Sequence, residues 1–410
     1  MDSFRRLART ECATISVTTS AFLLAETGAL YACGLNRSGQ LGLGDTSDRS
    51  TLRKVPLEES VKTVVTGNDS TYVLTVSGTL YACGHNDSGQ LGLGDIRNRS
   101  TLTRVPLAES VEAVVTGNDS TYVLTVNGVL YACGYNYSGQ LGLGDNRNRL
   151  TLRRVPLDEK VKSVTTTNSF TFVITIKGGL YTCGFNFFGQ LGVGDRWNRS
   201  TLTRVPLEES VETVVTVFGS AYVITVCGAL YACGANGSGQ LGLGDSENRV
   251  KLTRVPLEEN VMIVASVNRF ALVVTVSGAL YACGDNCYGQ LGLGDYSNRV
   301  TLTMVPLAES VKTIVASVNR FALVVTVSGA LYACGYNDYG QLGLGDNSKR
   351  LMLTKVPVEE SVKTVILKYS SSFIATVNDT FYACGYNEYG HLGLADQEAR
   401  TIFTPLPELE

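Results

Sequence analysis

The sequence predicts an all-β chain, a single β-propeller of four-stranded antiparallel blades, with eight blades favoured and seven as the alternative. Three observations carry the expectation. A phrase close to "LYACGxNxxGQLGLGD" returns at Tyr31, Tyr81, Tyr131, Tyr181, Tyr231, Tyr281, Tyr332 and Tyr382, in steps of 50 residues with one of 51. Each unit holds four short extended segments and no apolar stripe of helical period. The units fill nearly all of the 410 residues, and repeats of this length carrying four strands are the mark of propeller blades. The division is residues 1–11 as an N-terminal segment and 12–410 as the propeller.

The second unit shows each element in order. "VKTVVTG" (from Val61) alternates apolar and polar residues and then turns apolar. "TYVLTVSG" (from Thr71) is β-branched and aromatic and ends in a Ser-Gly turn, with "TLYACG" (from Thr79) at hairpin distance. "STLTRVPL" (from Ser100) is the fourth strand, and Pro106, which has no ladder donor, places it at a sheet edge. Between the third and fourth strands "NDSGQLGLGD" reverses the chain. Gly89, Gly92 and Gly94 serve the turn, Leu91 and Leu93 anchor it, and Gln90 bonds loop groups that would otherwise be orphaned. A phosphate cradle would need a helix after the glycines, and no such pattern follows. The extra residue of the 51-residue step lies in "VKTIVASVNRF" (from Val311), against "VMIVASVNRF" (from Val261). Closure of the propeller is expected to pair "ECATISV" (from Glu11) with "TIFTPLP" (from Thr401).

Composition narrows the function. A formal net charge of −3 gives no general drive towards nucleic acids or anionic membranes. No apolar run has the length of a membrane span, and the N-terminal residues lack a secretory signal, so a soluble protein of the cytoplasm or nucleus is expected. Eight of the eleven cysteines repeat in one slot, from Cys33 to Cys384. They read as free, buried thiols in a reducing compartment rather than as disulfide partners or a metal ring. Cys287, outside that slot and in a loop, is the expected reactive thiol.

The asparagine with "GQLGxG", repeated eight times, resembles the regulator of chromosome condensation repeat family over about 390 residues. The resemblance implies a propeller that does binding and regulatory work at its faces. It also implies, as an alternative activity, guanine-nucleotide exchange on a Ran-like small GTPase, which the family performs with an inserted β-wedge and polar residues on one face. This chain departs from that pattern. It has eight repeats where seven are usual, and cysteine where the family commonly has tryptophan before the glycine. Its loops are nearly equal in length, with no room for a wedge, so no exchange residue can be mapped. The related ultraviolet photoreceptors use clustered tryptophans, whereas Trp197 is alone here.

Two sets of side chains are candidates for recognition. The residues around the loop asparagine vary while the frame repeats, and many are aromatic: Tyr135, Tyr137, Phe185, Phe187, Phe188, Tyr288, Tyr336, Tyr339, Tyr386 and Tyr389, joined by Trp197. Such rings, mixed with Asp338 and Glu388, suit a protein interface. The same slots hold Ala235 and Asp285, and a second loop adds Arg269-Phe270 and Arg320-Phe321. The other set is an arginine four residues after the loop aspartate: Arg49, Arg99, Arg149, Arg199, Arg249, Arg299, Arg350 and Arg400. These form either an anion-binding collar or a staple within each loop, and the staple is the favoured reading. One aspartate per loop is too few ligands for calcium. Glutamate pairs such as Glu58-Glu59, Glu208-Glu209 and Glu258-Glu259 read as solvated turns rather than acid–base pairs.

No catalytic, cofactor or metal site is expected. The leading expectation is a non-enzymatic scaffold that binds a protein partner through one face. Exchange on a small GTPase comes second. Chromatin binding comes third, weakened by the acidic balance.

Overall fold

A computed structural model describes residues 15–406, apart from 18, 19, 26, 218, 369, 379, 389–391, 393 and 395. Thirty-two strands, β1 (Ile15–Val17) to β32 (Arg400–Pro405), form eight four-stranded sheets, each from four consecutive strands in sequence order. The second blade is typical: β5 (Val61–Thr66), β6 (Ser70–Thr75), β7 (Leu80–Gly84) and β8 (Arg99–Arg104). Its register runs Val61↔Thr75, Ser70↔Gly84 and Tyr81↔Arg104, with a bulge between Ala82 and Gly84. The fold is that of a β-propeller with eight blades.

Burial follows strand position. Every residue of β6 is buried, as in the second strands of the next five blades, because both of its faces are covered. β8 is half exposed throughout. The core lies between successive blades. Tyr72, Leu74, Leu80, Ala82 and Leu91 of the second blade pack with Val111, Val114 and Val123 of the third. Each buried aliphatic side chain contributes about 1.5–3 kcal/mol. Contacts group the chain into two compact units: described residues up to 187 with 193–211, and residues 188–192 with those from 212 onwards. Within each unit, neighbouring blades approach through their first strands, as β5 does with β9 (Val111–Thr116), and β21 (Val261–Val267) with β25 (Val311–Ser317). Among the described residues no helix is long and apolar enough to cross a membrane.

The expected closure needs correction, and two other expectations gain detail. Ile15–Val17 pairs with β2 (Ser20–Leu24) of its own sheet and Arg400–Pro405 with β31 (Phe381–Gly385) of its own, so each terminal strand completes a locally built blade. Residues 11–14 of the quoted segment lie outside the described residues. β8 lies at the edge of its sheet, as Pro106 predicts, and Pro106 itself stands just beyond the strand's end, where the backbone N–H of Val105 still donates to Leu80 O (2.9 Å). The extra residue of the 51-residue step is absorbed in a turn. Val267 pairs with Phe270 across two residues, whereas Ser317 pairs with Phe321 across three, ending on Arg320 at φ 63°. The same "SVNRF" therefore makes two different turns.

Candidate functional site

The loop after the third strand is held by its asparagine. Asn136, wholly buried, donates from Nδ2 to the carbonyls of Asp145 (2.9 Å) and Arg147 (3.1 Å). Its Oδ1 accepts from Leu141 N–H (2.9 Å), and its backbone N–H donates to Asn148 Oδ1 (2.9 Å). Gln140 joins this loop to its neighbour. Oε1 accepts from Ser138 N–H (3.0 Å), and Nε2 donates to Asn168 O (3.1 Å) in the next blade. The Gln140 carbonyl accepts from the buried Tyr122 hydroxyl (2.6 Å) and from the Cys183 thiol (3.1 Å).

That thiol contact recurs from Cys83 to Cys384, each cysteine reaching the carbonyl of the glutamine one blade earlier at 3.1–3.5 Å. The repeated cysteines are free, and burial raises their pKa values, to about 12 at Cys283 and Cys334. They act as weak interblade donors as well as filling space. Cys287 is exposed, yet partial burial and then the neighbouring Asp285 carboxylate raise its pKa, which opposes thiolate formation. The repeated glutamates also have partners. Glu59 accepts from the hydroxyls of Tyr81 (2.6 Å) and Ser77 (2.9 Å), and Glu259, Glu309 and Glu360 bond their blade's tyrosine likewise.

All eight loop arginines fold back onto their own aspartates, as at Arg99 Nη2–Asp95 (2.7 Å) and Arg149 Nη2–Asp145 (2.7 Å). Nη1 donates to the carbonyl two residues earlier, as from Arg99 to Arg97 O (2.7 Å). The Arg99 guanidinium, then the Arg97 backbone N–H, hold the Asp95 carboxyl below its ordinary value, and Asp145 is lowered in the same way. A lowered carboxyl pKa stabilises the fold above the ordinary carboxylate value of about 3.9, and that contribution is lost as pH falls through the lowered value. The thermal midpoint should therefore hold from pH 7 to 5 and fall below about pH 4. A triple variant, Asp95→Asn, Asp145→Asn and Asp245→Asn, should show a shallower acid limb. An unchanged limb would place the acid sensitivity elsewhere.

None of the described aromatic candidates is buried. In the unit ending at residue 211, Tyr135 and Tyr137 lie with ring centroids 4.9 Å apart, and Phe185 and Phe187 stack at 6.3 Å. Trp197 is exposed in the staple loop, and its carbonyl accepts from Arg199 (2.8 Å) and from the loop asparagine, Asn186 Nδ2 (3.2 Å). In the other unit four rings from three blades form an edge-to-face row: Tyr288–Tyr336 (5.3 Å), Tyr336–Tyr339 (6.3 Å) and Tyr339–Tyr386 (5.2 Å). Tyr389 lies outside the described residues. Two cations cover the row's first ring, with Arg320 Cζ 4.9 Å and Lys349 Nζ 4.8 Å from the Tyr288 centroid. Lys349 occupies the slot of Asn148, which in the first six blades is an aspartate or asparagine that accepts the N–H of the loop asparagine; the seventh blade has a cation there instead. The Tyr336 phenol is pushed up to about 12 by partial burial, then by its hydrogen bond to Asp338. Phe188 lies apart from this row and lines a cavity with Arg269 and Arg320. Sequence reasoning missed this cavity, although Ala235 and Gly237, the smallest pair in the variable slots, were its visible signal.

Comparison with known proteins bears on this geometry. The family model described as "Regulator of chromosome condensation (RCC1) repeat" matches residues 27–74, 77–124, 127–174, 177–226, 228–272, 277–318 and 328–366. The chain belongs to that family. Among solved structures it is similar to human WBSCR16, with 20% identity and TM-score 0.63 over 82% of this chain and 96% of that one. It is also similar to Prp20p from Saccharomyces cerevisiae, with 18% identity and TM-score 0.62 over 89% and 92% of the two chains. That work concerns the binding properties of Prp20p to Gsp1p and histones. Yeast RCC1 (Prp20) bound to Kap60 matches with 18% identity and TM-score 0.62 over 88% and 89%. At these identities the likeness establishes the fold. A search of curated proteins finds no match.

Proposed function

We propose that this propeller is a non-enzymatic binding scaffold that holds a protein partner at the tyrosine row of Tyr288, Tyr336, Tyr339 and Tyr386. The row itself carries the reading. The framework requires none of these four rings, since other blades hold leucine, histidine or alanine in the slot of Tyr336 and Tyr386 and serine in the slot of Tyr288 and Tyr339, yet here they gather edge to face under two cations. Rigid aromatic side chains with a cation beside them bring contact area at little entropic cost, which is the usual make-up of interface hot spots.

Exchange on a small GTPase is the second reading, favoured by the structural likeness to Prp20p, which was studied with Gsp1p. One experiment weighs both. The quadruple variant Tyr288→Ala, Tyr336→Ala, Tyr339→Ala and Tyr386→Ala should lose partners that the wild type captures from lysate. A single central ring should account for roughly 2 kcal/mol, or more than tenfold in affinity. An unchanged capture profile would refute the tyrosine row. Release of labelled GDP from a panel of small GTPases, stimulated by the wild type, would replace the scaffold reading with the exchange reading. Salt-sensitive nucleosome binding would favour a chromatin role.

A further inference from the structure

The fifth blade differs from its neighbours at the two variable slots. The residues flanking the loop asparagine are Tyr135 and Tyr137 in the third blade, Phe185 and Phe187 in the fourth, and Tyr336 and Asp338 in the seventh. In the fifth they are Ala235 and Gly237. Where large side chains are missing, a cavity of about 640 Å³ opens, within the roughly 300–1,000 Å³ typical of ligand sites.

Its lining is specific in chemistry. Phe188 supplies an aromatic wall, Ala235 and Gly237 leave the space, and Arg269, Arg320 and Asp285 bring charge. Arg269 is exposed, and among the described residues its guanidinium has no ion-pair or hydrogen-bond partner. It sits on a two-residue turn whose first residue, Asn268, has a φ of 51°. Arg320 is held in place from three sides. Asp285 lies 3.8 Å from its Nε, Cys287 Sγ lies 3.5 Å from Nη1, and the Tyr288 ring lies beneath Cζ. The extra turn residue of the seventh blade puts Arg320 at positive φ. Two guanidiniums against one carboxylate leave a single net positive charge, which suits a monoanion better than a phosphate dianion. Arg320 also touches the first ring of the tyrosine row, so the cavity and the row share a side chain.

We propose that this cavity takes a carboxylate side chain from an acidic, aromatic-containing peptide segment of the partner, held by Arg269 and Arg320 against the Phe188 wall. The proposal rests on the partner-binding reading above and specifies what that face selects. The peptide places glutamate or aspartate in the cavity and its apolar residues along the tyrosines. Charge complementarity selects the acid, and the missing side chains at Ala235 and Gly237 supply the space.

The test uses the intact protein and a fluorescein-labelled ten-residue peptide of alternating glutamate and tyrosine, followed by anisotropy. The wild type should bind it, with affinity falling as salt rises, and should bind the glutamine-for-glutamate peptide at least tenfold more weakly. Ala235→Tyr with Gly237→Tyr fills the cavity using residues that the third blade already carries in these slots. A Cβ at Gly237 meets nothing within 4 Å, and Gly237 is not among the positive-φ glycines, so the thermal midpoint should not move. Peptide affinity should drop at least tenfold in this variant, and likewise in Arg269→Glu. Undiminished binding by the filled variant overturns the proposal, as does failure of the wild type to bind the peptide. A ten-nucleotide thymidine strand that binds more tightly than the peptide, and is lost on filling, would overturn it in favour of single-stranded nucleic acid. A row variant limited to Tyr339→Ala and Tyr386→Ala, which leaves the Tyr288 ring beneath Arg320, scored by partner capture alone, keeps failure of the face distinct from failure of the cavity.

Discussion

Asn136→Ala is expected to lower the unfolding free energy by roughly 2–4 kcal/mol, the sum of two groups each left without a partner at about 1–3 kcal/mol. The asparagine satisfies three backbone groups through one side chain: the carbonyls of Asp145 and Arg147 and the N–H of Leu141. Alanine orphans the Asp145 carbonyl and the Leu141 N–H, while the Arg147 carbonyl keeps the Arg149 guanidinium (2.8 Å); Leu141 is itself fully buried, so water cannot take over its amide. Asn136→Asp should not rescue the loss. It keeps the acceptor for Leu141 but turns the donor into an oxygen facing two carbonyls, and it buries a charge. Asn148→Ala should cost only about 1 kcal/mol, the usual worth of one hydrogen bond. The seventh blade supports this, because its loop closes with Lys349 in that slot. Urea midpoints of the three variants give the ordering. A near-wild-type midpoint for Asn136→Asp would mean that the acceptor alone holds the loop.

The same asymmetry decides what the sequence could reveal. Local chemistry was legible. Four strands per unit could be placed because β-branched runs, a Ser-Gly turn and "LYACG" each constrain the backbone over a few residues, and the second blade starts each within one residue and ends each within three of those bounds. The arginine staple could be read because aspartate and arginine lie four residues apart on one loop. Longer-range features could not. The Cys183 thiol finds its acceptor 43 residues away in the preceding blade, and only the register between blades sets that distance. The extra residue before Phe321 was visible as an insertion somewhere in "VKTIVASVNRF". Yet a one-residue shift in a strand would turn its buried face outwards, so the turn takes it instead. The tyrosine row was legible as composition, since its members refuse to repeat, but not as a row. The cavity at Ala235 was not legible, because the fifth blade's slots hold only a methyl group and a hydrogen. Its signal is absence of bulk, which acquires meaning only once neighbouring blades supply Phe188 and the arginines.

Gly134→Ala should destabilise the chain by roughly 3 kcal/mol or more, in the range of backbone strain combined with overpacking. Gly134 has a φ of 94°, and a Cβ there would sit 2.2 Å from the carbonyl oxygen of Asp119. That oxygen cannot simply move aside, because it accepts the N–H of Tyr135 (2.8 Å). Gly134 also pairs with Ser120 on one side and Arg149 on the other, next to a bulge, so displacing it disturbs both neighbouring strands. Two other glycines separate the causes. Gly144 has nearly the same φ, 92°, but its Cβ would meet only a methyl group of Thr201 at 3.9 Å, so Gly144→Ala carries the backbone strain without the clash and should cost about 1 kcal/mol. Gly237→Ala has neither and should fall within about 0.5 kcal/mol of wild type. The expected order of urea midpoints is Gly237→Ala, then Gly144→Ala, then Gly134→Ala well below both. If the last two coincide, left-handed strain alone sets the cost and the close approach to Asp119 is relieved by movement. If they separate as expected, the glycine ahead of each loop asparagine is fixed by contact with the adjacent strand. The variable residues that follow, Tyr135 and its counterparts, are then presented from a backbone that cannot shift to suit them.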